Sequence, residues 1–134
     1  MASIRKVIEV GASPEAVWDA LADFQAVHRR VAPGFVTGSR PEGEDRVVTF
    51  AAGGEAQERL VTADAASRRL VYAVVRSGLA ATHQQASVEV QDNPVGTGGC
   101  RLVWTTDVLP DALGPVIDGL MDQGAGAIAR TLSG

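Results

Sequence analysis

The stretch from Phe35 to Leu109 constrains this chain most: short β-rich runs follow one another there, with links too short to hold a helix. The runs fall at 35–40, 45–51, 55–63, 69–76, 83–91 and 100–109. Turn residues separate them: Arg40-Pro41-Glu42-Gly43, Ala52-Gly53-Gly54, Asp64-Ala65-Ala66-Ser67, Ser77-Gly78, and residues 92–99. Parallel pairing needs a crossover of about a dozen residues or more, so these strands must be antiparallel neighbours. Within 69–76, Leu70, Tyr72 and Val74 alternate with Val71, Ala73 and Val75, the period of a two-faced strand. A sheet this extensive must bury one face.

Few elements are available to cover it. Ile4 to Val10 reads as a further strand. Ser13-Pro14-Glu15 then has the form of a helix start: a capping hydroxyl, a proline suited to the first turn, and an acid near the positive helix end. Val17, Leu21 and Phe24 continue at helical spacing, widened by Trp18 and Ala20. A second short helix is expected over Gln25 to Val31, before Ala32-Pro33-Gly34 ends it. The tail, Asp111 to Leu132, places Leu113, Val116, Ile117, Leu120, Met121, Ile128 and Leu132 on one apolar face, with Pro115 tolerated in its first turn. The expected fold class is α+β, ordered strand, two helices, six strands, long C-terminal helix, with a curved antiparallel sheet wrapped around the last helix. One domain is expected over residues 1–134.

Composition narrows the function. The chain has 12 Lys+Arg against 16 Asp+Glu, a net charge of −4, which argues against nucleic acid as a partner. One cysteine, Cys100, excludes an intramolecular disulfide and a cysteine-built metal site. It reads as a small apolar strand residue. No apolar run approaches the roughly 20 residues of a membrane span, and the N-terminus meets charge at once, so a cytoplasmic location is the default expectation. His28 and His83 lie far apart without a fixed-spacing carboxylate, so no metal motif is formed; His28, beside Arg29 and Arg30, is expected to be solvated. No nucleophile-elbow string and no cofactor motif occurs, and Gly98-Gly99 reads as a hairpin, not a phosphate loop. Arg130 reads as a terminal charge that complements the helix dipole.

Two features point to the interior. Only six aromatics occur, and Trp18 and Phe24 are spent on the first helix. Gly119, Gly124 and Gly126 sit inside the tail helix, where each costs about 0.5–1 kcal/mol relative to Ala. Close approach to the sheet would offset that cost, and so would room for a ligand beneath the helix. A curved sheet bends away from a straight rod, and such gaps form apolar cavities. Leu120, Gly124 and Ile128, one turn apart, would face that gap.

Several strings resemble one superfamily. Val7-Ile8-Glu9-Val10-Gly11-Ala12-Ser13-Pro14-Glu15-Ala16-Val17-Trp18 looks like its first strand and helix entry, and Asp23-Phe24 sits where members often carry Asp-Phe. Glu58-Arg59-Leu60-Val61-Thr62-Ala63-Asp64 followed by Arg69-Leu70-Val71-Tyr72 looks like its hairpin, and Leu102-Val103-Trp104 like its late strand. The chain resembles the START/birch-pollen-allergen superfamily (SRPBCC), in particular its bacterial polyketide cyclase/dehydrase-like and lipid-transport-like members. The resemblance implies a helix-grip fold around an elongated cavity, binding lipids, polyketides or other hydrophobic small molecules, with catalysis in a minority. It places Glu58, Tyr72, Val74, Gln84 and Ala86 inward, with the loops 51–54 and 77–81 as gates by analogy with distant plant hormone receptors. Gln84 stands where relatives often have tyrosine, Ala80-Ala81 replaces a common proline, and the receptors' cavity lysine has no counterpart, so receptor function is not implied.

Alternatives remain at single residues. Glu58 reads either as a surface carboxylate paired with Arg59 or a neighbouring strand, or as a cavity carboxylate suited to acid/base work. Tyr72 reads as core, or as a hydrogen-bond donor at a cavity wall. Alternation turns Trp104 inward with Leu102, whereas the receptor resemblance turns Val103 inward. The expected ligand-binding set is therefore Glu58, Tyr72, Val74, Gln84, Ala86, Trp104, Leu120, Gly124 and Ile128. The leading expectation is a non-catalytic binder or carrier of a hydrophobic small molecule. A polyketide-type cyclase or dehydratase using Glu58, Tyr72 and Gln84 is the alternative, and a protein-interaction module built on the loops or a sheet edge is a third.

Overall fold

In a computed structural model, residues 1–93 and 98–133 are described. The chain folds as β1 (Ala2–Val10), α1 (Pro14–Ala22), a 3-10 turn (Phe24–Ala26), α2 (Val27–Arg30) and β2 (Val36–Glu42). Then follow β3 (Asp45–Phe50), β4 (Glu55–Asp64), β5 (Arg69–Ser77), β6 (His83–Asp92), β7 (Cys100–Leu109), a 3-10 turn (Asp111–Leu113) and α3 (Gly114–Thr131). Seven strands form one antiparallel sheet in the order β1-β7-β6-β5-β4-β3-β2. The six consecutive strands pair in sequence, as their short links require, and β1 adds beside β7, pairing from Ala2↔Val108 to Val10↔Cys100. That ladder carries β1 two residues further toward the N-terminus than its β-branched core suggests. The turn expected over 92–99 falls partly on residues 94–97, outside the described residues.

The first helix starts as expected: the Ser13 hydroxyl accepts the Ala16 N–H at 3.2 Å and Pro14 opens the helix. It ends at Ala22, earlier than the apolar spacing to Phe24 indicates. Asp23 leaves helical geometry (φ −78°, ψ 72°), and its carboxylate binds Arg30 at 3.0 Å. Short acids favour such local bonds over helix interiors. Phe24 therefore enters the core from a 3-10 turn, and the expected second helix over 25–31 shortens to Val27–Arg30.

The core lies between the inner sheet face and the helices. Ile8, Val10, Leu70, Tyr72, Ala86, Val88, Leu102, Trp104 and Val108 are buried on the sheet side, opposite Ile117, Met121, Ala127 and Ile128 of α3. Val116 departs from the expected apolar face and is exposed. Helix α3 begins at Gly114, three residues late, because residues 111–113 take the tighter 3-10 form. At β1, Lys6 reaches from an inward position to Asp118 and Asp122 of α3, at 2.5 and 2.8 Å, tying helix to sheet.

The helix glycines separate into two kinds. A Cβ on Gly124 would lie 2.9 Å from Trp104 Cη2 and 3.0 Å from Phe35 Cε2, so the helix passes directly over these rings. Gly119 faces open space. Gly119→Ala should therefore raise stability by up to about 1 kcal/mol through helix propensity, whereas Gly124→Ala should lose stability through overpacking, which typically costs about 1–3 kcal/mol. Urea unfolding of both variants checks the contrast.

Candidate functional site

A cavity of about 120 Å³ lies between the sheet and the helices. Its sheet wall is a lateral row across five strands. Arg46 opposes Glu58, Tyr72 opposes Ala86, and Ala86 opposes Thr106. Ala86 sets the depth of this wall, since a methyl group stands between two larger neighbours. Val27, Val31 and Ala32 close the side nearest α2, and Ile117, Met121 and Ile128 form the roof on α3. Phe35 and Phe50, rings 5.4 Å apart, complete one end.

The polar content of this interior is concentrated at one place. Arg46 and Glu58 are both buried, and Arg46 Nε donates to Glu58 Oε1 at 2.8 Å. A second guanidinium N–H donates to the Phe24 carbonyl at 2.8 Å. The guanidinium carbon lies 3.8 Å from the Phe24 ring centre and 5.1 Å from that of Tyr72, so the cation also rests on aromatic faces. Burial pushes the Tyr72 phenol well above its ordinary value, and the nearby Glu58 charge pushes it further, against weaker opposing effects of Arg46 and the Trp104 indole. Tyr72 is thus held protonated. Trp104 Nε1 lies near that hydroxyl yet completes no hydrogen bond of normal geometry, and Gln84 Oε1 is also buried without a partner.

A family model described as polyketide cyclase/dehydrase and lipid transport matches residues 1–133. The chain belongs to this family. No curated protein matches it by sequence. Among solved structures, one from Thermobifida fusca is 33% identical over 96% of this chain and 91% of its own, with a TM-score of 0.76. An uncharacterised protein from Bacillus thuringiensis is 17% identical, with 98% of each chain covered and a TM-score of 0.85. Norcoclaurine synthase from Thalictrum flavum, solved with dopamine and hydroxybenzaldehyde, is 21% identical over 96% of this chain and 84% of its own, with a TM-score of 0.71. Together with a START superfamily protein from Mycobacterium smegmatis (16% identical, TM-score 0.70), these likenesses show the helix-grip fold.

Within this polyketide cyclase/lipid-transport domain, Glu58, Tyr72, Gln84, Ala86, Trp104, Leu120 and Ile128 all line the cavity. Val74 and Gly124 do not. Val74 stands directly opposite Glu58 in the β4–β5 ladder and packs half-buried against the margin of the core. Gly124 is covered by the Trp104 and Phe35 rings, so its small size serves helix–sheet approach and leaves no open space. Glu58 is buried against Arg46 and does not pair with Arg59, which instead holds Asp45 outside the cavity at 3.0 Å. Trp104 faces inward and Val103 lies on the other face, as simple alternation requires. His28 is half-buried with Nδ1 enclosed and unpartnered, not solvated as its charged neighbours suggest. No residue of the loops 51–54 or 77–81 lines the cavity; Phe50 stands before the first of them. No helix among the described residues is long and apolar enough to cross a membrane.

Arg46 is the residue that sequence reasoning missed. Its signal is present: it alternates with Val48 and Phe50, and a hairpin turning at 51–54 sets it opposite Glu58. Tyr72 is the chain's one tyrosine, so its ionisation is directly readable. A phenol whose pKa is raised by folding contributes stability that is full below the unfolded value of about 10 and is lost as pH rises above it. Tyrosinate absorbance should therefore stay absent in the folded protein at that pH and appear together with loss of the circular-dichroism signal. Ionisation of the intact fold near pH 10 would contradict this burial.

Proposed function

We propose that the protein binds or carries a hydrophobic small molecule, a lipid-derived, polyketide-like or other apolar metabolite, in the cavity between sheet and α3. The observation that carries the reading is the cavity itself: lined mainly by aliphatic and aromatic side chains, about 120 Å³ in volume, and furnished with a few polar groups. An apolar cavity of roughly 150 Å³ accepts a benzene-sized ring, so this one suits an occupant of about one ring, or one apolar end of a larger molecule.

The alternative, a cyclase or dehydratase acting in the same cavity, draws on the placement of Glu58, Tyr72 and Gln84 along one lining. The geometry supports it less well. General acid/base work needs a group free to exchange a proton with the substrate. Glu58 is engaged by a buried guanidinium, and Tyr72 is held in its protonated form.

Toluene provides the simplest probe. It should bind saturably, shifting the NMR signals of Ile117, Met121 and Ile128. Ala86→Phe, which raises the floor of the cavity, should abolish that binding while the circular-dichroism spectrum is retained. Absence of saturable binding to the unaltered protein, or binding indifferent to Ala86→Phe, would refute a cavity binder.

A further inference from the structure

The charge state of the cavity carries an inference about what it selects, and it rests on the binding reading above. Among the described residues, Arg46 and Glu58 are the only ionic side chains lining it, and they neutralise each other at 2.8 Å. The remaining polar groups, Tyr72, Gln84, Trp104 and Thr106, are neutral. An ion entering this space would shed its water and meet no unpaired counter-charge, the least favourable way to bury charge.

We propose that the cavity selects an uncharged molecule of about one ring and discriminates against carboxylates and amines. Fatty-acid anions, whose tails satisfy the apolar walls, are rejected at the head.

Calorimetric titration with four probes of similar size separates the possibilities: toluene, benzyl alcohol, benzoate and benzylammonium. The unaltered protein should bind toluene and benzyl alcohol, and both ions at least roughly tenfold more weakly, as an unpaired charge loses its water on entry. Glu58→Gln frees the Arg46 guanidinium and should raise benzoate affinity by about tenfold. Benzoate or benzylammonium binding as tightly as benzyl alcohol in the unaltered protein overturns the selectivity, even where Glu58→Gln fails to fold. Failure of toluene itself to bind overturns the binding reading instead, so the two failures are distinct.

Discussion

One buried ion pair organises the inner face of this protein. Arg46 and Glu58 lie side by side on β3 and β4, and the same guanidinium holds the carbonyl of Phe24 and lies against the rings of Phe24 and Tyr72. Four separate segments of chain therefore meet on a single side chain. A charge this deep is tolerated only with its partner and its hydrogen bonds complete. The 3-10 turn at Phe24–Ala26, reached where the chain leaves helical geometry at Asp23, supplies one of those bonds and presents Phe24 to the core.

The second constraint is the distance between helix and sheet. Gly124 lets α3 approach until Trp104 and Phe35 touch its backbone, and Lys6 ties the helix to β1 through Asp118 and Asp122. With the helix fixed at these points, the sheet bends away elsewhere. Small residues such as Ala86 and Ala32 do not fill the gap. The scarcity of aromatics thus has a structural consequence: Phe35 and Phe50 close one end, Tyr72 and Trp104 stand in the sheet wall, and space remains between them and α3. Because the ion pair is neutral as a unit, the cavity it borders is polar at one place without being charged.

Much of the architecture was legible in the amino-acid sequence because turn chemistry and strand alternation are local. The punctuation between 35 and 109 delimits all six strands to within two residues, and antiparallel pairing follows from link length alone. The inward position of Tyr72 was legible from unbroken alternation, whereas strand 100–109, apolar on both sides, left Trp104 and Val103 both open. Reading failed where a residue's environment is set by a partner distant in sequence. Arg46 was not singled out, because only the β3–β4 register places Glu58 opposite it. Gly124 could serve close helix–sheet approach or leave room for a ligand, and only the placement of Trp104 and Phe35 against it decides for close approach. Val74 shares the alternation of Leu70 and Tyr72, yet it lies beside a register shift where β5 carries the extra residue Val75, and it packs half-buried against the core.

The inner face depends on the Arg46–Glu58 pair being desolvated and mutually satisfied. A double-mutant cycle read by urea unfolding measures that directly. Arg46→Met and Glu58→Leu should each cost about 3–5 kcal/mol as single changes, because each leaves a buried charge alone, while the double variant should lose far less than their sum. Additive losses of about 1 kcal/mol or less, the behaviour of a solvent-exposed pair, would contradict it.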